Sequence, residues 1–115
     1  MGFHLDRAML TASQLAWVDR MRTYEDVSVL IRDDRSLTGN ERALMFVLLS
    51  HMDGNGTCFP GYDLLMAETG LARATVSKCI KALVAQGWIG YGQTPTKDGR
   101  QRNHYWLARE PKFNG

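Results

Sequence analysis

Residues 60–86 read PGYDLLMAETGLARATVSKCIKALVAQ, and the break at Gly70 decides how they fold. Leu64, Leu65 and Leu71 supply apolar anchors around it, and glycine can adopt the left-handed backbone that ends a helix without a Cβ clash. A second helical pattern begins within a few residues. On it Val76, Ile80, Leu83 and Val84 follow the i, i+4, i+7, i+8 rule and predict one buried stripe. The opposite surface carries Arg73, Thr75, Ser77, Lys78 and Lys81, with Thr75 at the edge between the faces. Two helices joined by so tight a turn form a helix-turn-helix, whose second helix is shaped to probe a DNA major groove. Arginine and lysine pair with guanine edges or phosphates, and hydroxyls reach bases or backbone oxygens, so this face has the chemistry for a groove. The competing reading is an amphipathic helix with a solvated basic face.

The chain beyond this helix weighs against that plainer reading. Gly87 stops the helix, and WIGYGQ (88–93) and HYWLAR (104–109) read as two aromatic-rich strands flanking TPTKDGRQRN. The expectation is a hairpin with a long basic tip. Lys97, Arg100 and Arg102, with Asn103 beside them, are expected on a loop whose Pro95, Asp98 and Gly99 favour turns over a third strand. A basic hairpin after a helix-turn-helix is a wing, and its cations suit the sugar-phosphate backbone or the minor groove. A surface hairpin charged for solubility is the alternative. The aromatics Trp88, Tyr91, Tyr105 and Trp106 also leave room for a protein-interaction module.

With these pieces in place, the stretch from Leu37 to Leu107 resembles the winged helix-turn-helix domains of bacterial, plasmid and phage regulators and replication proteins. The matching segments are LTGNERALMFVLLSHMD for a first helix, GTCFPGYDLLMAETGLARATVSKCIKAL for the helix-turn-helix, and GWIGYG with RNHYWL for the wing. The resemblance implies sequence-specific binding of double-stranded DNA, frequently as a dimer; for want of a catalytic residue pattern, no enzymatic activity is expected. The expected fold is mainly α with a small β-hairpin (α+β), preceded by an N-terminal helical extension. Gly61 and Ala72 depart from the pattern, since such domains often place a helix-capping serine there, and Met66 replaces a common alanine. Ala72 cannot accept the orphan amide hydrogen bonds, a loss of about 1 kcal/mol.

Length and charge agree with this organisation. A chain of 115 residues with 44% hydrophobic content can bury one core. The expected division is an extension over 1–36, the winged domain over 37–110 and a tail over 111–115. The formal net charge is only +2, yet residues 73–112 carry eight Arg or Lys against two Asp or Glu, while residues 1–36 carry five against six. That polarity is the footprint expected for a polyanionic partner.

No cofactor or metal is expected. Cys58 and Cys79 lack zinc-ligand spacing, and Cys79 lies beside the buried stripe as a small hydrophobe. Asp53, Asn55 and Thr57 alternate oxygens as a calcium loop would, but the downstream glutamate is missing, so DGNGT is expected to turn into a short strand around Cys58. His51, His104 and the scattered carboxylates make no recognisable catalytic pattern. No apolar run reaches the ~18 residues of a membrane span, and MGFHLDR is no secretory signal, so a soluble cytoplasmic protein is expected.

The first third is less determined. Thr11 and Gln14 fit a capping box, and Leu10, Leu15, Trp17, Val18 and Met21 give a broad apolar surface if residues 11–22 are helical. That surface packs on its own domain or on a second chain. Dimerisation through Leu15, Trp17, Val18 and Met21 is favoured, because one short winged helix buries little DNA surface and two-fold pairing doubles it. Residues 27–31, VSVLI, alternate as a strand would, with a helix nearly as good, and 32–36 is expected as a charged connector. Thr38 and Glu41 make a second capping box opening a helix over 40–52, with Leu44, Val47 and Leu48 inward. The leading function is a small transcriptional regulator, either a repressor or an autoregulator. The runner-up is the DNA-binding domain of a plasmid or phage replication initiator or recombination accessory protein.

Overall fold

The computed structural model describes residues 11–108, except for the side chains of residues 13–23. In chain order it has α1 (Ala12–Asp33), α2 (Gly39–His51), β1 (Thr57–Cys58), α3 (Tyr62–Thr69), α4 (Arg73–Ala85), β2 (Ile89–Pro95) and β3 (Gln101–Leu107). The fold is α+β, with four helices against a small antiparallel sheet of order β1-β3-β2.

The first helix runs eleven residues beyond its expected end at residue 22 and absorbs both VSVLI and the start of the expected connector. Its spacing explains why. Tyr24, Val27 and Ile31 recur at helical intervals and are buried in the common core, whereas Val29 and Leu30 face outward. Arg42 of α2 fastens the end of α1, donating to the carbonyls of Ile31 (3.3 Å) and Asp34 (2.6 Å). The Tyr24 hydroxyl reaches across to the Asp53 carbonyl. The second half of α1 thus shares the core of residues 37–107.

The Thr38 capping box is present. The Thr38 hydroxyl accepts from the Glu41 amide at 3.1 Å, and the Glu41 carboxylate accepts from the Thr38 amide at 3.3 Å. From that start α2 drives Leu44, Met45 and Leu48 into the centre, with Val47 half-buried at its edge. The capping box read at Thr11 and Gln14 involves a side chain outside the described residues.

The DGNGT segment is a turn. One oxygen of Asp53 accepts from the amides of Asn55 (2.8 Å) and Thr57 (3.2 Å), an Asx-type arrangement that uses the carboxylate internally. It delivers β1 to pair with β3, Cys58 opposite Tyr105. Cys58 and Cys79 are free and buried. Among the described residues no helix is long and apolar enough to cross a membrane, and no His, Cys, Asp and Glu cluster could hold a metal ion.

Candidate nucleic-acid interface

The turn between α3 and α4 is built as the glycine reading requires. Gly70 has φ +73° and donates to the Met66 carbonyl at 2.9 Å. Thr69 secures the exit: its hydroxyl donates to the Leu65 carbonyl (2.6 Å) and accepts from the Leu71 amide (3.2 Å). Neither Gly61 nor Ala72 provides a side-chain cap to the helix it precedes. At its far end α4 closes in a Schellman motif, with Trp88 N–H to the Leu83 carbonyl and Gly87 N–H to the Val84 carbonyl, both 3.0 Å. The motif brings Trp88 against the buried end of the helix.

Val76, Cys79, Ile80 and Leu83 face the core. Val84 does not: at 40% exposed it is one step around the helix from the inward stripe, and Leu64, expected as a core anchor, is likewise exposed. Leu65, the other expected anchor on α3, is fully buried, and Cys79 joins the inward face of α4. Arg73, Lys78 and Lys81 are exposed, while Thr75 and Ser77 are half-buried. The Arg73 guanidinium lies 4.9 Å from the centre of the Tyr62 ring, which holds it at the helix start. Nothing in the spacing of Tyr62 and Arg73 along the sequence announces this contact.

Between α4 and β2 runs a groove of about 420 Å³, with Tyr62, Ser77, Lys81, Val84 and Tyr91 on its walls. The wing face on this side carries a small polar network. The Asn103 side-chain carbonyl accepts from the Tyr91 hydroxyl (3.1 Å) and the Gln93 amide (3.0 Å). Asn103 is therefore a strand residue beside the groove, opposite Gln93 in the register.

The strands continue to Pro95 and resume at Gln101, which shortens the expected long tip to residues 96–100. Arg102 consequently leaves the loop. It pairs with Thr94 across the strands and turns to the sheet face opposite Asn103, its guanidinium 4.3 Å from the centre of the Phe59 ring. The tip is a clamped turn. Thr96 N–H donates to the Arg100 carbonyl (2.8 Å), Gly99 takes φ +82°, and the Thr96 hydroxyl donates to Asp98. That hydroxyl, and then the Arg100 amide, hold the Asp98 carboxyl below its ordinary range. Lys97 and Arg100 project from the turn into solvent. Of the four aromatics read as a contact surface, Trp88 and Tyr105 are buried, while Tyr91 and Trp106 remain open.

The expected pairing residues Leu15, Trp17, Val18 and Met21 have helical backbone in α1, but their side chains lie outside the described residues.

Residues 35–89 match the model of a family described as "Helix-turn-helix domain". No curated protein matches the chain. Among solved structures it is similar to a possible transcriptional regulator from Methanosarcina mazei Go1, with a TM-score of 0.50 and 17% identity. The similarity covers 76% of this chain and 64% of that one, so this chain spans less than two-thirds of that protein's length. At that identity the likeness bears on the fold alone.

Proposed function

We propose that this chain, whose residues 35–89 match a helix-turn-helix domain and whose hairpin follows as a wing, is a sequence-specific double-stranded DNA-binding protein regulating transcription in the cytoplasm. Arg73, Thr75, Ser77, Lys78 and Lys81 of α4 enter the major groove, and Lys97 and Arg100 of the wing turn lie along the backbone. Asn103 borders the groove between the two. The observation that carries the reading is the division of α4, which commits Val76, Cys79, Ile80 and Leu83 to the core while leaving Arg73, Lys78 and Lys81 exposed. The helix has no acidic residue to oppose a phosphate. Binding as a two-fold dimer through α1 completes the proposal, supported by the outward-facing Val29 and Leu30 on that helix.

Selection of bound duplexes from a randomised pool tests it, because a groove reader enriches a defined site whereas a solvated helix enriches none. Footprinting on the source DNA then separates regulator from initiator. Inverted repeats over promoters fit a regulator, and tandem repeats at an origin fit an initiator.

A further inference from the structure

The wing has a second face, turned away from the groove beside α4. It carries Trp106, His104 and Arg102 on β3, Gly90 and Gly92 on β2, and Phe59 just after β1. A Cβ added at Gly90 would fall 1.9 Å from the Trp106 ring, and one at Gly92 would fall 2.6 Å from the His104 ring. The two rings therefore lie across the bare strand of β2, each with one side on a glycine. Phe59, His104 and Trp106 follow one another with centroid separations of 6.0 and 5.3 Å and tilts of 37° and 31°. Phe59 is 41% exposed and Trp106 40%. The Thr94 hydroxyl steadies the His104 ring at Nδ1 (3.2 Å), and Arg102 adds a cation over Phe59.

We propose that this face binds single-stranded DNA, with unpaired bases stacking on Trp106, His104 and Phe59, Arg102 held over the Phe59 ring at the end of the row, and the wing-turn cations following the phosphates. A row of aromatic rings flanked by cations is how proteins hold single strands without reading sequence. Duplex DNA does not fit, because its bases are already stacked on one another. Charge selects the strand over an apolar partner: Lys97, Arg100 and Arg102 stand against Asp98 alone between Thr94 and His104. Beyond Phe59 a cavity of about 310 Å³, bordered by His51, Leu64, Arg102 and Asp53, whose carboxylate is held by the Asn55 and Thr57 amides, offers a seat for a base at the end of the row. The choice of DNA over RNA rests on the proposed duplex binding; the stacking does not.

The test uses the full chain and a fluorescent oligothymidylate of about twelve nucleotides, within the usual range of site sizes. Beside it run an abasic oligomer of equal length, oligouridylate, and the duplex recovered by selection. Binding of oligothymidylate is expected to exceed that of the abasic oligomer, and Phe59→Ala or Trp106→Leu is expected to weaken it about 5- to 150-fold, the range for removal of one base stack. Trp106→Phe keeps a π-face and restores most of the affinity, which separates stacking from a failure to fold. Both Phe59→Ala and Trp106→Leu keep duplex binding, while Lys78→Ala loses duplex binding and keeps oligothymidylate, so each proposal fails independently. Equal affinity for the abasic oligomer, or wild-type affinity in both truncated variants, overturns the platform. Tighter binding of oligouridylate overturns the choice of DNA, and self-association abolished by Trp106→Leu assigns the face to a second copy instead.

Discussion

Val76 and Lys78 stand two positions apart on α4, and substitutions there report different properties. Val76 is fully buried, so Val76→Asp puts an unpaired carboxylate into the core and is expected to unfold the protein. Lys78→Ala or Arg73→Ala leaves the melting transition nearly unchanged and weakens specific duplex binding by roughly 1–3 kcal/mol for each base contact removed. Circular dichroism with DNA titration checks both, and full binding in the two surface variants would remove α4 from the interface. The cysteines give a residue-scale prediction about reactivity. Burial, reinforced by the charge of Asp53, pushes the Cys58 thiol up to about 12, and burial raises Cys79 as well. A thiol needs its thiolate to react, so both are expected to resist iodoacetamide at about pH 8 in the folded chain and to react once it is unfolded in guanidinium. Mass spectrometry reads the difference. Rapid native alkylation of Cys58 would mean that the β1 region opens.

Whole elements respond to their ends. Since Ala72 leaves α4 without a side-chain cap, Ala72→Ser is expected to raise stability by about 1 kcal/mol, and Thr38→Ala to lower it by a similar amount. Denaturant midpoints test the pair, and no gain at Ala72 would mean that the helix start is already satisfied. The wing answers to salt. Losing Lys97 or Arg100 should make the log K against log salt slope shallower by about 0.9 per phosphate contact, whereas Arg102, drawn over Phe59, should change the duplex slope less. It also answers to acid. Asp98 has a lowered folded-state value, so its contribution to the turn is present above the ordinary carboxylate range and fades as pH falls through that lowered value. At this scale the helix-turn-helix was legible, because Gly70, Gly87 and the Thr38 box are local signals for local geometry. VSVLI was not, since Val27 and Ile31 fit both periods until α2 supplied the partner surface. Arg102 and Asn103 were misplaced for a similar reason. TPTKDGRQRN has loop composition, and only cross-strand pairing, Pro95 with Gln101, Thr94 with Arg102 and Gln93 with Asn103, makes its flanks strands. Tyr62 and the Phe59 row had no sequence signal, because each depends on side chains meeting across elements.

The whole molecule raises the question of what covers the outward side of α1. This helix has 22 residues, about 33 Å at the usual rise, and its second half divides its apolar residues between two destinations. Tyr24, Val27 and Ile31 go to the core of their own chain, whereas Val29 and Leu30, 43% and 41% exposed, do not. Deleting α1 would therefore confuse folding with assembly, because it strips three core residues. Substitution on the outward side separates them. If α1 holds a two-fold dimer, the full chain is expected to scatter as a dimer, and Val29→Glu with Leu30→Glu is expected to yield a folded monomer by burying like charges across the symmetry axis. Two recognition helices about one DNA turn apart, roughly 34–36 Å, then demand an inverted repeat in the selected duplex. The monomeric variant should retain each half-site contact but bind the intact repeat no more tightly than a single half. Light scattering and titration of whole and half sites decide the matter. A wild-type chain that stays monomeric on DNA at every half-site spacing would leave α1 as a structural brace for its own domain and nothing more.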